Sequence, residues 1–387
     1  MRVAVIHPLK HHVYYSMAGV MESGAEVIGL FGYYDKNDFL DKIVRKTKWK
    51  KQIDGYKYEK ISNCVKTNFF VKVLFLLAKA KPKQFKKLYD WAFETWVIHN
   101  LKGVDCIHVL QDYENNVIRT AKKRNIKIVY EQITAYYMER YFDDNDEKED
   151  LKQRENLQAV DYILTASDFV KNSILGIKEN KNIEKKITVI PYGANTQQFS
   201  YKERIYEADR ELQLLVVASI SKRKGMNYLL DAMEKLQNQP VKLSVIGVPV
   251  NGEEEILNRM QSMNNVEYVG RVPHEQIHSY FENNDVFILP SLAEGSSLSV
   301  YEALASGMPY VVTKNTGSVI TDGVDGFIIE VKSAESIVAA IRKFIEKPEL
   351  VHEMSLSARN TINKYTWEKY EKKISDFYKK KMIQVGE

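Results

Sequence analysis

Twelve short apolar runs, separated by longer stretches of helical periodicity, constrain this sequence more than any other feature. Six lie in the first half, at residues 3–7, 26–30, 105–110, 127–131, 162–166 and 187–191. Six follow in the second, at 212–219, 242–248, 266–269, 286–290, 310–313 and 327–331. The runs are continuous rather than alternating, so each strand is expected to be buried on both faces, as in a parallel sheet covered by helices. Two such sets read as two doubly wound, Rossmann-like α/β domains. The chain has 387 residues, 44% of them hydrophobic, which is enough for two cores of ordinary size. The polar stretch SYKERIYEADRELQ, from residue 200, has no apolar period and reads as a linker. The expected domains are 1–197 and 205–364. An amphipathic C-terminal helix within 365–387 then has to pack somewhere, and the first domain is the expected place.

Two cysteines, Cys64 and Cys106, make no disulfide framework and point to a reducing compartment. The opening MRVAVIHPLK reads directly as a strand, without the apolar core and small-residue cleavage site of a signal peptide. The longest apolar run, FFVKVLFLLA, is far short of the roughly 20 residues of a membrane span and carries Lys72. A cytoplasmic protein is expected, peripheral on a membrane at most. Charge is unevenly spread: residues 41–100 hold 15 lysines and arginines against 5 carboxylates, a net +10 in a chain of net +5. With Trp49, Trp91, Phe69, Phe70 and other rings, this segment reads either as a surface for anionic lipid headgroups or as a solvated helical face. No nucleic-acid motif accompanies the charge, so nucleic acid is not an expected partner.

The segment DVFILPSLAEGSSLSVYEALASGMPYVVT, residues 285–313, parses as strand, loop, helix, stop and strand. Gly307 and Pro309 end the helix near Ser306. The turn Gly295-Ser296-Ser297 opens it, and free amides at a helix N-terminus favour an anion such as phosphate. In a parallel sheet such a turn lies at the carboxyl edge, where ligands bind. Glu294 stands just before the helix and Glu302 on its second turn. On this segment alone, a capping carboxylate and an exposed helix carboxylate are their plain alternatives.

Taken with other segments, this stretch resembles the retaining glycosyltransferases of the GT-B fold, family 4. Glu294 and Glu302, with seven residues between them, are similar to that family's paired glutamates. VVASISKRKGMNYLLDAM resembles its phosphate-binding segment, with Lys224-Gly225 at the centre, and VIPYGANTQQF resembles the close of its N-terminal domain. The resemblance implies two Rossmann-like domains facing across a cleft that holds a nucleotide-diphosphate sugar. By position, Glu294 and Lys224 would carry the chemistry, with Lys224 on the diphosphate and Glu294 on the transferred sugar. Glu302 would bind the ribose, the amides of Gly295, Ser296, Ser297 and Leu298 the phosphates, and the loop at Arg271 would lie beside the base. It also implies a metal-independent reaction without a cofactor, since a lysine and helix amides answer the charge left on the diphosphate. The expected activity is transfer of a hexosyl group, from a UDP-sugar, to a glycan or lipid-linked acceptor, in surface polysaccharide or glycolipid synthesis.

The chain also departs from the family. Ser219 stands where an arginine is usual, leaving Lys222 or Arg223 as candidates for the missing charge. The loop after the first strand, HPLKHHVYYSMAG, is poor in glycine; His7, His11, His12, Tyr14 and Tyr15 are candidates for the acceptor side, with Glu131 and His108. Gln132 occupies a position where a histidine is common and cannot act as acid or base. Asp144-Asn145-Asp146 has the form of a metal-binding D-x-D but lies in an acidic run and reads as a solvated loop; no metal site is expected. Two other readings stay open: a non-catalytic nucleotide- or glycan-binding module, and a nucleotide-sugar epimerase on the same fold.

Overall fold

Two fully parallel sheets, one in each half of the chain, organise the computed structural model, which describes residues 1–9, 12–47, 50–53, 56–111, 116–136 and 147–383. The first contains β1 (Arg2–His7), β2 (Glu26–Phe31), β3 (Val65–Lys66), β4 (Cys106–Leu110), β5 (Lys127–Gln132), β6 (Tyr162–Thr165) and β7 (Ile187–Val189). Their order is β3-β2-β1-β4-β5-β6-β7. The second contains β8 (Leu212–Val217), β9 (Val241–Ile246), β10 (Val266–Gly270), β11 (Val286–Leu289), β12 (Tyr310–Thr313) and β13 (Gly326–Ile329), in the order β10-β9-β8-β11-β12-β13.

The twelve apolar runs all become strands because helices cover both faces of each sheet. In β11 all four side chains are fully buried, each contributing about 1.5–3 kcal/mol. The two-residue β3 has no apolar run of its own; it is specified by pairing, Gly29 with Val65 and Leu30 with Lys66. In both sheets the order reverses beside the first strand, between β1 and β4 and between β8 and β11. Crevices at the carboxyl ends of strands form at such switch points.

The C-terminal helix Trp367–Tyr378 returns to the first half and packs on the helix Val13–Glu22. Gly19 makes this possible, since a Cβ there would lie 2.4 Å from the Glu371 carbonyl oxygen. Tyr15 stacks on Trp367 with ring centroids 4.0 Å apart, and Tyr58 donates to the Glu371 carboxylate at 2.7 Å. The two passages of chain between the halves touch where the Ala194 amide donates to the Tyr365 carbonyl.

The stretch after Phe199 is irregular, yet it is fastened to the second half. Arg204 is buried and donates to the carbonyls of Phe281, Glu282, Asn284 and Ser306. Burial lowers its pKa to about 10. Arg210 makes a two-pronged pair with Asp285, both contacts 2.7 Å. Polarity alone gave no sign of this anchoring.

Lys72, inside the apolar run of the basic segment, is also internal. Its ammonium pairs with Asp38 at 2.7 Å and Asp41 at 2.6 Å, tying the helix Phe39–Arg45 to the helix Phe69–Ala80. Tyr33 donates to Asp41 at 2.7 Å and completes the cluster. Among the described residues, no helix is long and apolar enough to cross a membrane.

Candidate functional site

The loops leaving β8 and β11 meet at the switch point of the second sheet. After β8, the Ser221 side chain accepts the Lys224 amide and caps a single 3-10 turn, Lys222–Lys224. Gly225 then takes a left-handed conformation, φ 72°, with its α-carbon so close to the end of β11 that a Cβ would meet the Pro290 carbonyl at 2.0 Å. The Leu292 amide donates to the Arg223 carbonyl, pinning the loops together.

This docking delivers two cations to one carboxylate. Lys224 Nζ lies 2.7 Å and Arg223 Nη1 2.6 Å from Glu294 Oε1. The Lys224 and Glu294 side chains are only 11% and 10% exposed, and Arg223 is 34% exposed. Burial draws the Lys224 ammonium below its ordinary pKa, although Glu294 opposes the shift. Ser219 is half-buried just upstream, while Lys222 is exposed and uses its amide on the Glu253 carboxylate. Of the two candidate cations, Arg223 is therefore the one the fold brings to Glu294.

Beyond Glu294 the turn is partly committed. The Ser297 amide donates to the Thr316 carbonyl, and the Ser296 hydroxyl bonds the Tyr301 hydroxyl and the Gly317 carbonyl. The amides of Ser296 and Leu298 find no acceptor among the described residues. The helix runs Leu298–Ala305, and Gly307 takes the left-handed conformation after it, φ 74°. Glu302 is half-buried on this helix and meets no donor among the described residues; burial pushes its carboxyl up to about 7. Arg271 stands exposed directly after β10.

Gly295 is needed for a reason beyond access to a ligand. A Cβ there would lie 1.5 Å from the Ile133 carbonyl oxygen, so the loop after β5 rests directly on this turn. Ser167 donates to the Gly295 carbonyl at 2.5 Å from the same side. The site thus lies where the two halves touch. Beside it the Gln132 side chain donates to the Thr134 carbonyl at 3.1 Å, while its Oε1 is buried without a partner among the described residues.

In the first half, His12, His108 and Glu131 come together as one buried cluster. Glu131 Oε1 accepts from Ser16 at 2.7 Å and pairs with His108 Nε2 at 2.6 Å, and His12 Nε2 pairs with Oε2. Burial alone would raise the Glu131 pKa, but His12 and His108 hold it well below the ordinary carboxylate value. Tyr370 and Tyr378 of the C-terminal helix close the cluster: Tyr370 meets Ser16 at 2.9 Å, and Tyr378 meets His108 Nδ1 at 2.9 Å. No sequence spacing pointed to Ser16, Tyr370 or Tyr378, which join Glu131 only through the tertiary fold.

The other candidates near β1 have packing roles. His7 is buried, which lowers its pKa to about 4, and it bonds the Leu9 backbone. Tyr14 packs between Phe31 and Tyr34, and Tyr15 lies on Trp367. His11 and the Asp144-Asn145-Asp146 sequence lie outside the described residues. Among the described residues, no three His, Cys, Asp or Glu side chains are grouped to hold a metal ion.

Comparison with known proteins places these observations. Residues 197–361 match the family model described as glycosyl transferases group 1. An uncharacterized glycosyltransferase of Methanocaldococcus jannaschii is 25% identical over 58% of this chain and 61% of its own length. The UDP-Gal:alpha-D-GlcNAc-diphosphoundecaprenol alpha-1,3-galactosyltransferase of Escherichia coli is 28% identical over 52% of this chain and 56% of its own. Both matches span less than two thirds of the relative. The crystal structure of Anabaena HepE in complex with UDP and glucose superimposes with a TM-score of 0.67 at 13% identity, covering 98% of this chain and 100% of that one. The chain has the GT-B fold, two Rossmann-like domains facing across a cleft, and its second half is similar to glycosyl transferases group 1.

Proposed function

We propose that this chain transfers a hexosyl group from a nucleotide-diphosphate sugar, a UDP-sugar, to an acceptor hydroxyl with retention at the anomeric carbon. The observation that carries this reading is the convergence of Lys224 and Arg223 on Glu294, beside the unclaimed amides of Ser296 and Leu298. When the bond from the sugar to the diphosphate breaks, negative charge collects on the leaving phosphate. Fixed cations and amides aimed there lower the barrier, and in this reading they stand in for a divalent metal. Glu302, which meets no donor among the described residues, accepts from the paired hydroxyls of the ribose, and Glu294 from those of the sugar. The new bond forms from the acceptor oxygen to the anomeric carbon, and the acceptor's proton is released. HepE, with UDP and glucose, and the E. coli relative, with a UDP-sugar and a diphosphoundecaprenol acceptor, support the donor class.

A lipid-linked acceptor at the cytoplasmic face of a membrane fits the first domain. Phe39, Phe69, Phe70 and Trp91 are 76%, 66%, 56% and 61% exposed. The Lys72 bridge to Asp38 and Asp41 brings Phe39 and Phe69 to neighbouring helix ends. Lys42, Arg45, Lys46, Lys66 and Lys79 are exposed on the same helices or beside them. Rings with a basic surround suit anionic headgroups.

The test is incubation of the purified chain with radiolabelled UDP-sugars and lipid-linked acceptors in EDTA, with the product's anomeric configuration read by NMR. Transfer with retention supports the reading; hydrolysis or epimerisation without transfer contradicts it. Sedimentation with vesicles of anionic lipid at low salt tests the membrane face, and absence of binding removes it.

A further inference from the structure

We propose that Arg223 and Lys224 together form a two-cation clamp for the donor's diphosphate, and that Glu294 occupies this clamp while no donor is bound. The inference rests on the donor reading above, which already uses both cations, and adds to it a competition built into the site: the carboxylate and the diphosphate are rivals for the same two charges.

The geometry is specific. Both cations reach the same oxygen, Oε1 of Glu294, while Oε2 receives nothing from the described residues. Two positive charges thus share one negative charge, in a pocket where Lys224 and Glu294 are almost enclosed. A diphosphate brings more negative charge and several acceptor oxygens, and suits a guanidinium fork as well as an ammonium point charge. The loop carrying both cations is locked in place, by Gly225 against Pro290 and by the Leu292 amide on the Arg223 carbonyl, so no backbone rearrangement is needed for exchange. Lys222, exposed on the same turn, takes no part.

Diphosphate binding then does two things. It draws Arg223 and Lys224 off Glu294, and it frees that carboxylate to accept from sugar hydroxyls. The clamp and the sugar-binding group are mutually exclusive partners before the donor arrives and neighbours afterwards. Removing the Glu294 charge therefore strengthens binding of a diphosphate that carries no sugar.

Calorimetric titration of the full chain with UDP and with inorganic pyrophosphate tests this, using the wild type, Arg223→Ala, Arg223→Lys, Glu294→Gln and Lys222→Ala. Thermal unfolding of each variant confirms that it is folded. Arg223→Ala is expected to lose about tenfold or more in affinity for both ligands, the loss typical of a charged hydrogen-bond partner. Arg223→Lys recovers part of that loss, Glu294→Gln binds UDP several-fold more tightly than wild type, and Lys222→Ala is unchanged. Wild-type affinity in Arg223→Ala, or weaker UDP binding in Glu294→Gln, overturns the clamp and leaves the donor reading standing. Binding of pyrophosphate but of no nucleotide supports the clamp and removes the donor reading. A wild type that binds neither overturns both.

Discussion

The Tyr370 hydroxyl lies 2.9 Å from the Ser16 hydroxyl, joining residues 354 positions apart over the buried carboxylate of Glu131. The C-terminal helix is thereby part of the first domain's polar core, and its contribution can be measured through Glu131. Glu131→Gln is expected to cost about 2–4 kcal/mol at pH 7, because two histidines lose a buried anionic partner. The folded pKa of Glu131 lies below its unfolded value. The stabilisation is therefore full above about pH 4.3 and is lost as pH falls through the lower folded value. Urea unfolding across pH should show the gap between wild type and variant closing in acid; a constant gap contradicts this account.

Gly295→Ala tests the contact between the domains. Its added methyl collides with the Ile133 carbonyl, and overpacking of this kind costs about 1–3 kcal/mol. Because the clash lies between the halves rather than inside either, the expected relief is separation. Small-angle scattering should report a larger radius of gyration, with secondary structure intact and transfer reduced. An unchanged radius and unchanged transfer would show that the junction yields locally.

Glu302 offers a pH test with the opposite sign. Burial raises its folded pKa to about 7, above the unfolded value. The native chain thus binds the extra proton between roughly pH 4.3 and 7, and stability falls as pH rises through that window. Glu302→Gln should stabilise the chain at pH 8, by on the order of 1 kcal/mol, and have no effect near pH 4. Nucleotide binding should weaken as wild type is taken below pH 7, and be weak and pH-independent in the variant. Equal stabilisation at both pH values would assign the effect to packing.

Gln132 is buried with an acceptor that no described residue satisfies. Gln132→Leu removes that orphan at the loss of one hydrogen bond to Thr134, so stability should change by less than about 1 kcal/mol. If a hydroxyl of the donor or acceptor fills Oε1, transfer falls by about tenfold. Unchanged turnover would place Gln132 outside the reaction.

Much of this was legible in the sequence because it was locally encoded. The continuous apolar runs marked twelve strands, and Gly307 with Pro309 marked the end of the helix that begins at Leu298. Glu294 and the Gly295–Ser297 turn stand out in one segment that folds as a single strand–loop–helix unit, and Lys224 in a segment that resembles a family's phosphate-binding stretch. What escaped was non-local. Arg223 could not be separated from Lys222 until the turn showed which side chain faces Glu294. Arg204 sits in a stretch whose composition reads as solvent-exposed, and only carbonyls about 80 to 100 residues away along the chain explain its burial. Gly295 stands out in the sequence only as part of an anion-binding turn, and its contact with Ile133 of the other domain, 1.5 Å from where a Cβ would lie, is invisible there. The buried histidines near the first strand divide by partner: His7 bonds the Leu9 backbone, while His12 and His108 hold Glu131.

The central claim is a nucleotide-diphosphate site at the switch point of the second sheet. Its most direct test is calorimetric titration of the intact chain with UDP, GDP, ADP and their sugars, with and without EDTA, beside Lys224→Ala and Glu302→Ala. The account predicts EDTA-insensitive binding of UDP and its sugars, weakened by about tenfold or more in each variant. Binding that requires a divalent metal, that is indifferent to both substitutions, or that is absent for every nucleotide would contradict it.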